Sequence, residues 1–254
     1  MKVLILAAGY GTRLYPITKD TPKPLLWIDD SPLINYILGK IKKFDFIKEV
    51  FVVTNDKFYT NFKEWHSCLN EPFKKLSIKI INDGSTSVEN RLGAMGDINF
   101  VIQKESVKDD ILVIGGDNLF DEGLEKFIEF SQSLGKEATI GLFDIGNKKE
   151  ASKFGVAGLD KDNKVISFEE KPRQPSSTLI AMCLYYFSYK TFEFISQYLK
   201  ETVKHDTTGD YINWLHSIIP VYGFIFKGKW SDIGHIDSLC DWDEGYCKYK
   251  SNEA

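Results

Sequence analysis

Cysteine and histidine are scarce, with four of each in a chain of 254 residues. Cys68, Cys183, Cys240 and Cys247 contain no C-x-x-C pair, and His66, His205, His216 and His235 form no H-E-x-x-H or comparable spacing. A disulfide framework and a transition-metal centre are both disfavoured, and the thiols are expected to be reduced and buried or partly buried. Long apolar runs are missing too. The run after Lys2 ends at Gly9 after about six residues, shorter than the core of a signal peptide, and no other stretch nears the length of a membrane span. Basic excess is absent, the formal net charge being -4. That argues against a broad basic face for nucleic acid but leaves room for a local cationic pocket. Together these absences predict a cytoplasmic protein with neither nucleic acid nor a membrane as partner. No internal repeat, low-complexity tract or linker divides the chain.

What is there reads as globular, with 43% hydrophobic and 14% aromatic residues. One domain over residues 1–254 is expected from this length. Apolar runs alternate with helical patterns, which predicts an α/β fold: a Rossmann-like, mostly parallel mixed sheet flanked by helices. Strands are predicted at residues 3–6, 49–54, 77–81, 110–115 and 138–143, and helices at 32–44, 57–69, 96–104 and 122–134. Phe58, Phe62 and Trp65 recur at helical spacing and read as core. From residue 154 the pattern changes. A hairpin over 154–160 and 165–169, strands at 179–187 and 221–226 and helices at 189–199 and 209–217 predict a smaller antiparallel subregion. The polar tail after Cys247 is expected to fray.

Chemistry concentrates first in residues 1–26. The apolar run 3–6 breaks into Gly9 and Gly11, followed by Arg13 and by Lys23 between two prolines. Glycines let backbone N–H groups converge on phosphate oxygens, and the two cations add full charges, so the stretch reads as an anion cradle. It is not the dinucleotide fingerprint G-x-G-x-x-G, because Leu14 stands at the third glycine position. Nor is it a P-loop, since no G-K-[ST] closes it. Further on, a fully apolar strand ends in Gly115, Gly116, Asp117 and Asn118, which places Asp117 just past the carboxyl end of a central strand, where α/β sheets bind ligands.

The string L-A-A-G-Y-G-T-R-L over residues 6–14, followed by P-K-P-L-L over 22–26, resembles the N-terminal signature of the sugar-1-phosphate nucleotidylyltransferases. That family includes glucose-1-phosphate thymidylyl- and uridylyltransferases. F-E-E-K-P over 168–172 resembles its sugar-phosphate motif, Gly155 the glycine beneath the sugar, and W-S-D-I-G over 230–234 the segment carrying a second metal-binding aspartate. The motifs follow the family's order along most of the chain.

The resemblance implies transfer of a nucleotidyl group from an NTP, dTTP or UTP in the first place, to a sugar 1-phosphate, glucose 1-phosphate in the first place, releasing pyrophosphate. It implies a nucleotide site of Leu6, Ala8, Gly9, Gly11, Thr12, Arg13, Lys23, Asn82, Gly93 and Asp117, mainly in residues 1–120. A sugar-phosphate site of Gly155, Glu170, Lys171 and Tyr185 falls mainly in residues 121–247. Arg13, Lys23 and Asp117 would be catalytic, and Asp117 and Asp232 would hold Mg²⁺, a cation suited to carboxylate and phosphate oxygens. No nucleophilic side chain is needed, because the sugar phosphate is already ionised.

Three features depart from the family pattern. Asn82 opens a loop longer than the Gln-bearing one that reads the base in thymidylyltransferases, which leaves the base open. Met182 and Cys183 stand where close relatives carry a glycine beside the sugar, which leaves the sugar open. The chain stops soon after its last predicted helix, so the extension that many tetrameric relatives use for assembly is expected to be absent, and the oligomeric state, a homo-oligomer included, stays open. Two other readings compete: a catalytically silent binding module of the same fold, and a cytidylyltransferase acting on another phosphorylated alcohol.

Overall fold

The computed structural model describes residues 1–71, 73–133, 135, 138–202, 207–234, 236–243 and 246. In chain order the first half runs β1 (Lys2–Leu6), a small hairpin of β2 (Trp27–Ile28) and β3 (Ser31–Pro32), and α1 (Leu33–Ile41). It continues with β4 (Glu49–Thr54), α2 (Tyr59–Ser67), β5 (Ser77–Asn82), α3 (Gly93–Lys104) and β6 (Ile111–Gly115). The second half runs β7 (Asn118–Phe120), α4 (Glu125–Ser133), β8 (Ala138–Asp144), α5 (Lys148–Ala151), β9 (Gly155–Leu159) and β10 (Val165–Glu170). β11 (Leu179–Phe187), α6 (Phe192–Glu201), α7 (Thr208–Leu215), β12 (Val221–Phe226), β13 (Trp230–Asp232) and α8 (Ile236–Cys240) complete it.

A nine-stranded sheet is the frame, ordered β10-β9-β11-β6-β1-β4-β5, with β8 and β12 branching from β11. β5, β4, β1 and β6 are mutually parallel, whereas β11 runs antiparallel to β6, β8 and β9. Every residue of β6 and Val3, Leu4 and Ile5 of β1 are buried, as parallel strands covered on both faces require. One face packs on α1, α2 and α4 through residues such as Ile37, Phe62 and Phe127. The other packs on α3, α6 and α7 through Ile98, Ile195 and Tyr211. Each such fully buried side chain contributes roughly 2 kcal/mol of transfer free energy. No helix among the described residues is long and apolar enough to cross a membrane.

The fold class is as expected, and the differences are local. α3 begins at Gly93, three residues before the predicted start, because Gly93 takes a φ of +75° that turns the chain into the helix. α1 ends at Ile41 rather than 44, and the stretches at 56–58 and 189–191 are 3₁₀ turns leading into α2 and α6. The β2–β3 and β7–β13 pairs were not foreseen; strands of two or three residues carry too short a pattern to read. The thiols need one correction. Cys68 is exposed beyond the end of α2, while Cys183 is half-buried and Cys240 buried. Cys247, the tail after it and the predicted helix end at residue 134 lie outside the described residues.

Candidate active site

Two cavities adjoin at the carboxyl ends of β1 and β6. The larger, about 360 Å³, is lined by Leu6, Ala8, Gly9, Gly11, Thr12, Arg13, Lys23, Gly93 and Asp117 among others. Its floor is the loop leaving β1. That loop is tethered where Ala7 N donates to Val53 O and Asn55 Nδ2 donates to Ala8 O, both at 2.9 Å. Gly11 sits at φ +65°, and a Cβ there would lie 3.1 Å from Thr18, whose hydroxyl donates to Gly11 O at 2.6 Å. Only a glycine makes this turn without strain. Lys23 enters from the 3₁₀ turn Lys23–Leu25 and pairs with Asp117 Oδ2 at 2.8 Å. Burial alone would lower its pKa, but the charges of Asp117 and Asp232 outweigh that and hold the ammonium above its ordinary value.

The short β7–β13 ribbon brings the second aspartate in. Asp232 is registered opposite Asn118, the neighbour of Asp117, and Ile233 N donates to Asp117 O at 3.2 Å. Burial, and then the charge of Asp117, raise Asp232 to about 6 against the pull of Lys23, Arg13 and Lys171. Two half-buried carboxylates whose charges oppose each other are what a divalent cation relieves. Among the described residues no group of three or more His, Cys, Asp or Glu side chains gathers to hold a metal. The donor set therefore fits a hard ion of the Mg²⁺ kind, which takes one or two carboxylates and completes its shell with phosphate and water oxygens. It does not fit a closed zinc site.

The smaller cavity, about 230 Å³, is lined by Gly155, Glu170, Lys171, Tyr185 and Asp232, and it shares Arg13, Asp117 and Cys183 with the larger one. Glu170 lies so close to Gly209 that a Cβ there would collide with its carboxylate. Burial raises the Glu170 pKa, countered in part by Lys171, whose Nζ lies 3.6 Å from Oε1. The Tyr185 hydroxyl shares a hydrogen bond of 2.6 Å with Thr208 Oγ1, and its ring stacks on Phe187. Lys171 and Cys183 adopt φ of +47° and +52°, left-handed conformations that cost a residue with a Cβ about 1–2 kcal/mol. Cys183 falls where the β11–β8 register slips between Ala181 and Tyr185. Asn118 ties this bulge down: its amide donates to Met182 O and Cys183 O and accepts from Trp230 Nε1.

The sequence-predicted residues thus converge, with one exception. Asn82 does not line the larger cavity; its amide donates to Asp56 Oδ1 at 2.7 Å and its Oδ1 accepts from Gly84 N at 2.8 Å, an exposed turn that holds the side chain elsewhere. Several lining residues were missed. Thr207, Thr208 and Gly209 reach the smaller cavity at the start of α7, where Thr207 Oγ1 accepts from Asp210 N. The Thr-x-x-Asp spacing was the available signal. Asp97, in the larger cavity, was signalled by a lone acid on the apolar stripe of α3.

An α/β sheet with glycine-loop, aspartate-pair and lysine sites at its carboxyl edge describes a class of phosphate-transferring proteins, and the comparisons narrow it. The family model described as nucleotidyl transferase matches residues 2–248, and the chain belongs to that family. It is 29% identical over 238 residues to the bifunctional protein GlmU of Methanocaldococcus jannaschii, covering 92% of this chain and 51% of that protein. It is also 29% identical over 252 residues to the glucose-1-phosphate adenylyltransferase of Clostridium novyi, covering 94% and 65% respectively. The chain spans about half the length of the GlmU relatives it matches. Among solved structures, a Bacillus anthracis protein assigned as a glucose-1-phosphate thymidylyltransferase, in complex with sucrose, superposes with a TM-score of 0.81 at 26% identity. That superposition covers 97% of this chain and 95% of that one. A UDP-glucose pyrophosphorylase complexed with UDP-glucose shares the fold, with a TM-score of 0.78 at 22% identity over 98% of each chain.

Proposed function

We propose that this protein joins an NTP to a sugar 1-phosphate, giving an NDP-sugar and pyrophosphate. One observation carries the reading: two cavities, one floored by the glycine loop and one by the E-E-K-P strand, share Arg13 and Asp117 as a common wall. Two polyanions can be brought phosphate to phosphate there and nowhere better placed among the cavities described. Residues 1–254 act as one unit, with residues 1–120 mainly holding nucleotide and 121–247 mainly holding sugar phosphate. The favoured pair is dTTP or UTP with glucose 1-phosphate, in keeping with the names of the structural neighbours.

In this mechanism the backbone of Leu6, Ala8, Gly9, Gly11 and Thr12 cradles the triphosphate, with Gly93 beneath the base. Arg13 and Lys23 stabilise charge gathering on the α-phosphate and the departing pyrophosphate. Glu170 accepts hydrogen bonds from sugar hydroxyls over Gly155, beside Tyr185, and Lys171 steers the sugar's phosphate. A phosphate oxygen of the sugar attacks the α-phosphorus as the bond to the bridging oxygen of pyrophosphate breaks, and no proton needs to move. Mg²⁺, when bound by Asp117 and Asp232, supplies charge neutralisation and orientation of the phosphates. The test is a pyrophosphate-release screen of ATP, GTP, CTP, UTP and dTTP against a panel of sugar 1-phosphates with Mg²⁺. Turnover of at least one pair is expected; a folded protein that binds nucleotide and turns over none refutes the reading.

A further inference from the structure

Asp117 is the acid that both cavities share, and one of its oxygens already carries a cation. Lys23 Nζ lies 2.8 Å from Asp117 Oδ2, a contact that is hydrogen bond and ion pair at once. The lysine side chain is 11% exposed and the carboxylate 33%, so water screens this pair less than a surface pair. The other oxygen, Oδ1, is turned toward Gly115 and the Cys183 thiol: a Cβ on Gly115 would lie 3.3 Å from it and 3.0 Å from Sγ.

The backbone beneath the pair is fixed. Lys23 stands between Pro22 and Pro24, in a turn closed where Leu25 N donates to Pro22 O at 2.9 Å and Leu26 N donates to Lys23 O at 3.0 Å. Pro24 packs so tightly on Gly116 that a Cβ there would lie 2.8 Å from its Cγ, and Gly116 N donates to Leu6 O at 2.8 Å. The two loops therefore hold Lys23 and Asp117 side by side, and the freedom to part lies in the lysine's four-carbon stem.

Charge around the pair is balanced. Arg13 Nη1 and Asp232 Oδ2 lie 3.8 Å and 2.9 Å from the place that a Cβ on Gly234 would take, so the guanidinium and the second carboxylate are neighbours. Two carboxylates thus meet two cations. A divalent ion entering alone would contest one carboxylate with an ammonium and leave a surplus of positive charge. A triphosphate changes that balance. It brings several negative charges to the cavity that Lys23 and Arg13 line and offers the ammonium another partner.

We propose that Lys23 is the resident counter-ion of Asp117 and yields Oδ2 to a divalent cation only when a triphosphate draws its ammonium away. The proposal rests on the nucleotidyl-transfer reading for its trigger and deepens it: besides stabilising the departing pyrophosphate, Lys23 makes tight metal binding conditional on nucleotide. By linkage the condition is reciprocal, metal tightening nucleotide as nucleotide tightens metal.

The experiment counts protein-bound Mn²⁺, which takes the same oxygen ligands, from the paramagnetic resonance signal of the free ion, with no sugar phosphate present. Lys23→Met keeps the length of the stem and removes its charge. Without nucleotide it is expected to bind Mn²⁺ at least about 10-fold more tightly than the wild type. Lys23→Arg keeps the charge and should stay within about 3-fold of the wild type, and adding Asp117→Asn to Lys23→Met should erase the gain. A role in packing alone predicts no gain in any variant. In the wild type, one of ATP, GTP, CTP, UTP and dTTP should tighten Mn²⁺ about 10-fold or more, read by water-proton relaxation, which separates Mn²⁺ on the protein from Mn²⁺ on free nucleotide. Equal Mn²⁺ affinity of wild type and Lys23→Met without nucleotide overturns the exchange, and no tightening by any of the five removes the triphosphate as its trigger. Lys23→Ala keeps the test open if the methionine variant does not fold. Turnover in the pyrophosphate-release screen without a gain in Lys23→Met overturns the exchange and leaves transfer intact. A screen without turnover overturns transfer, while the metal comparison, read without chemistry, still decides the exchange.

Discussion

The larger cavity is floored by a loop that leaves a single parallel strand, with its backbone pinned by Val53, Asn55 and Thr18 and its lysine already paired with Asp117. The smaller cavity draws on β9, β10, β11 and the first turn of α7, antiparallel elements far apart in the chain, and contains two non-glycine residues in left-handed conformations. The first is a charge cradle whose parts arrive together. The second is assembled from scattered pieces, and it carries strain where the sugar and its phosphate are proposed to lie. On this account the parallel half holds the triphosphate, and the antiparallel half holds the sugar phosphate and brings in Asp232.

Substitutions of Asp117, in the shared wall, and of Asp232, registered beside it, should have the largest effect, because the proposed metal site serves both cavities at once. Asp117→Asn and Asp232→Asn are each expected to lower kcat about 10³-fold with the fold intact, and chelation of divalent metal should abolish turnover until Mg²⁺ is restored. Near-wild-type rates in either variant remove that residue from the metal site. Next comes the separation of the cavities. Lys23→Ala should cost about 10²-fold in kcat, whereas Lys171→Ala should raise KM for the sugar 1-phosphate about 10-fold and leave KM for NTP unchanged. Equal losses for both substrates in the Lys171 variant would dissolve the division of labour.

Smaller effects appear in stability. Asp97 titrates near 3.8 in the unfolded chain and at about 8 in the folded one. The folded state therefore binds the extra proton between those values, and stability falls as pH rises from about 4 to about 8, then levels. Asp97→Asn should flatten that slope and raise Tm at pH 8 by about 3 °C or more, read by thermal denaturation across pH. An unchanged slope means that Asp97 does not hold its proton. Cys183→Gly relieves a left-handed residue but loosens the unfolded chain and removes a packed thiol, so a rise in Tm of about 2 °C or less is expected. A clear loss of stability would show that the Sγ packing against Gly115 outweighs the backbone strain.

The same contrast governs what could be read from residue order. β1, β4 and β6 announce themselves as short runs with apolar centres, and the glycine loop with Arg13 and Lys23 is contiguous enough to recognise. Asp117 and Asp232 were readable as motif members, but not the reason they meet. That reason is the β7–β13 register and the side chain of Asn118, contacts between segments over a hundred residues apart. Asn82 follows β5 at the expected spacing, but residue order does not show that its amide is engaged locally by Asp56 and Gly84. Thr208 and Gly209 went unseen because a helix start carries no sign of which strand it will face. Asp97 sits as a lone acid in an apolar stripe, and its burial beside the charge of Asp83 exists only in three dimensions.

The central claim is that the two cavities bring the two phosphates directly into line, with no side chain carrying the nucleotidyl group between them. The stereochemical course at the α-phosphorus tests it most directly. With an NTP made chiral by sulfur at the α-phosphate, a single displacement inverts the configuration in the NDP-sugar, and inversion is the predicted result. Retention would require two displacements through a covalent nucleotidyl-protein and would contradict the account.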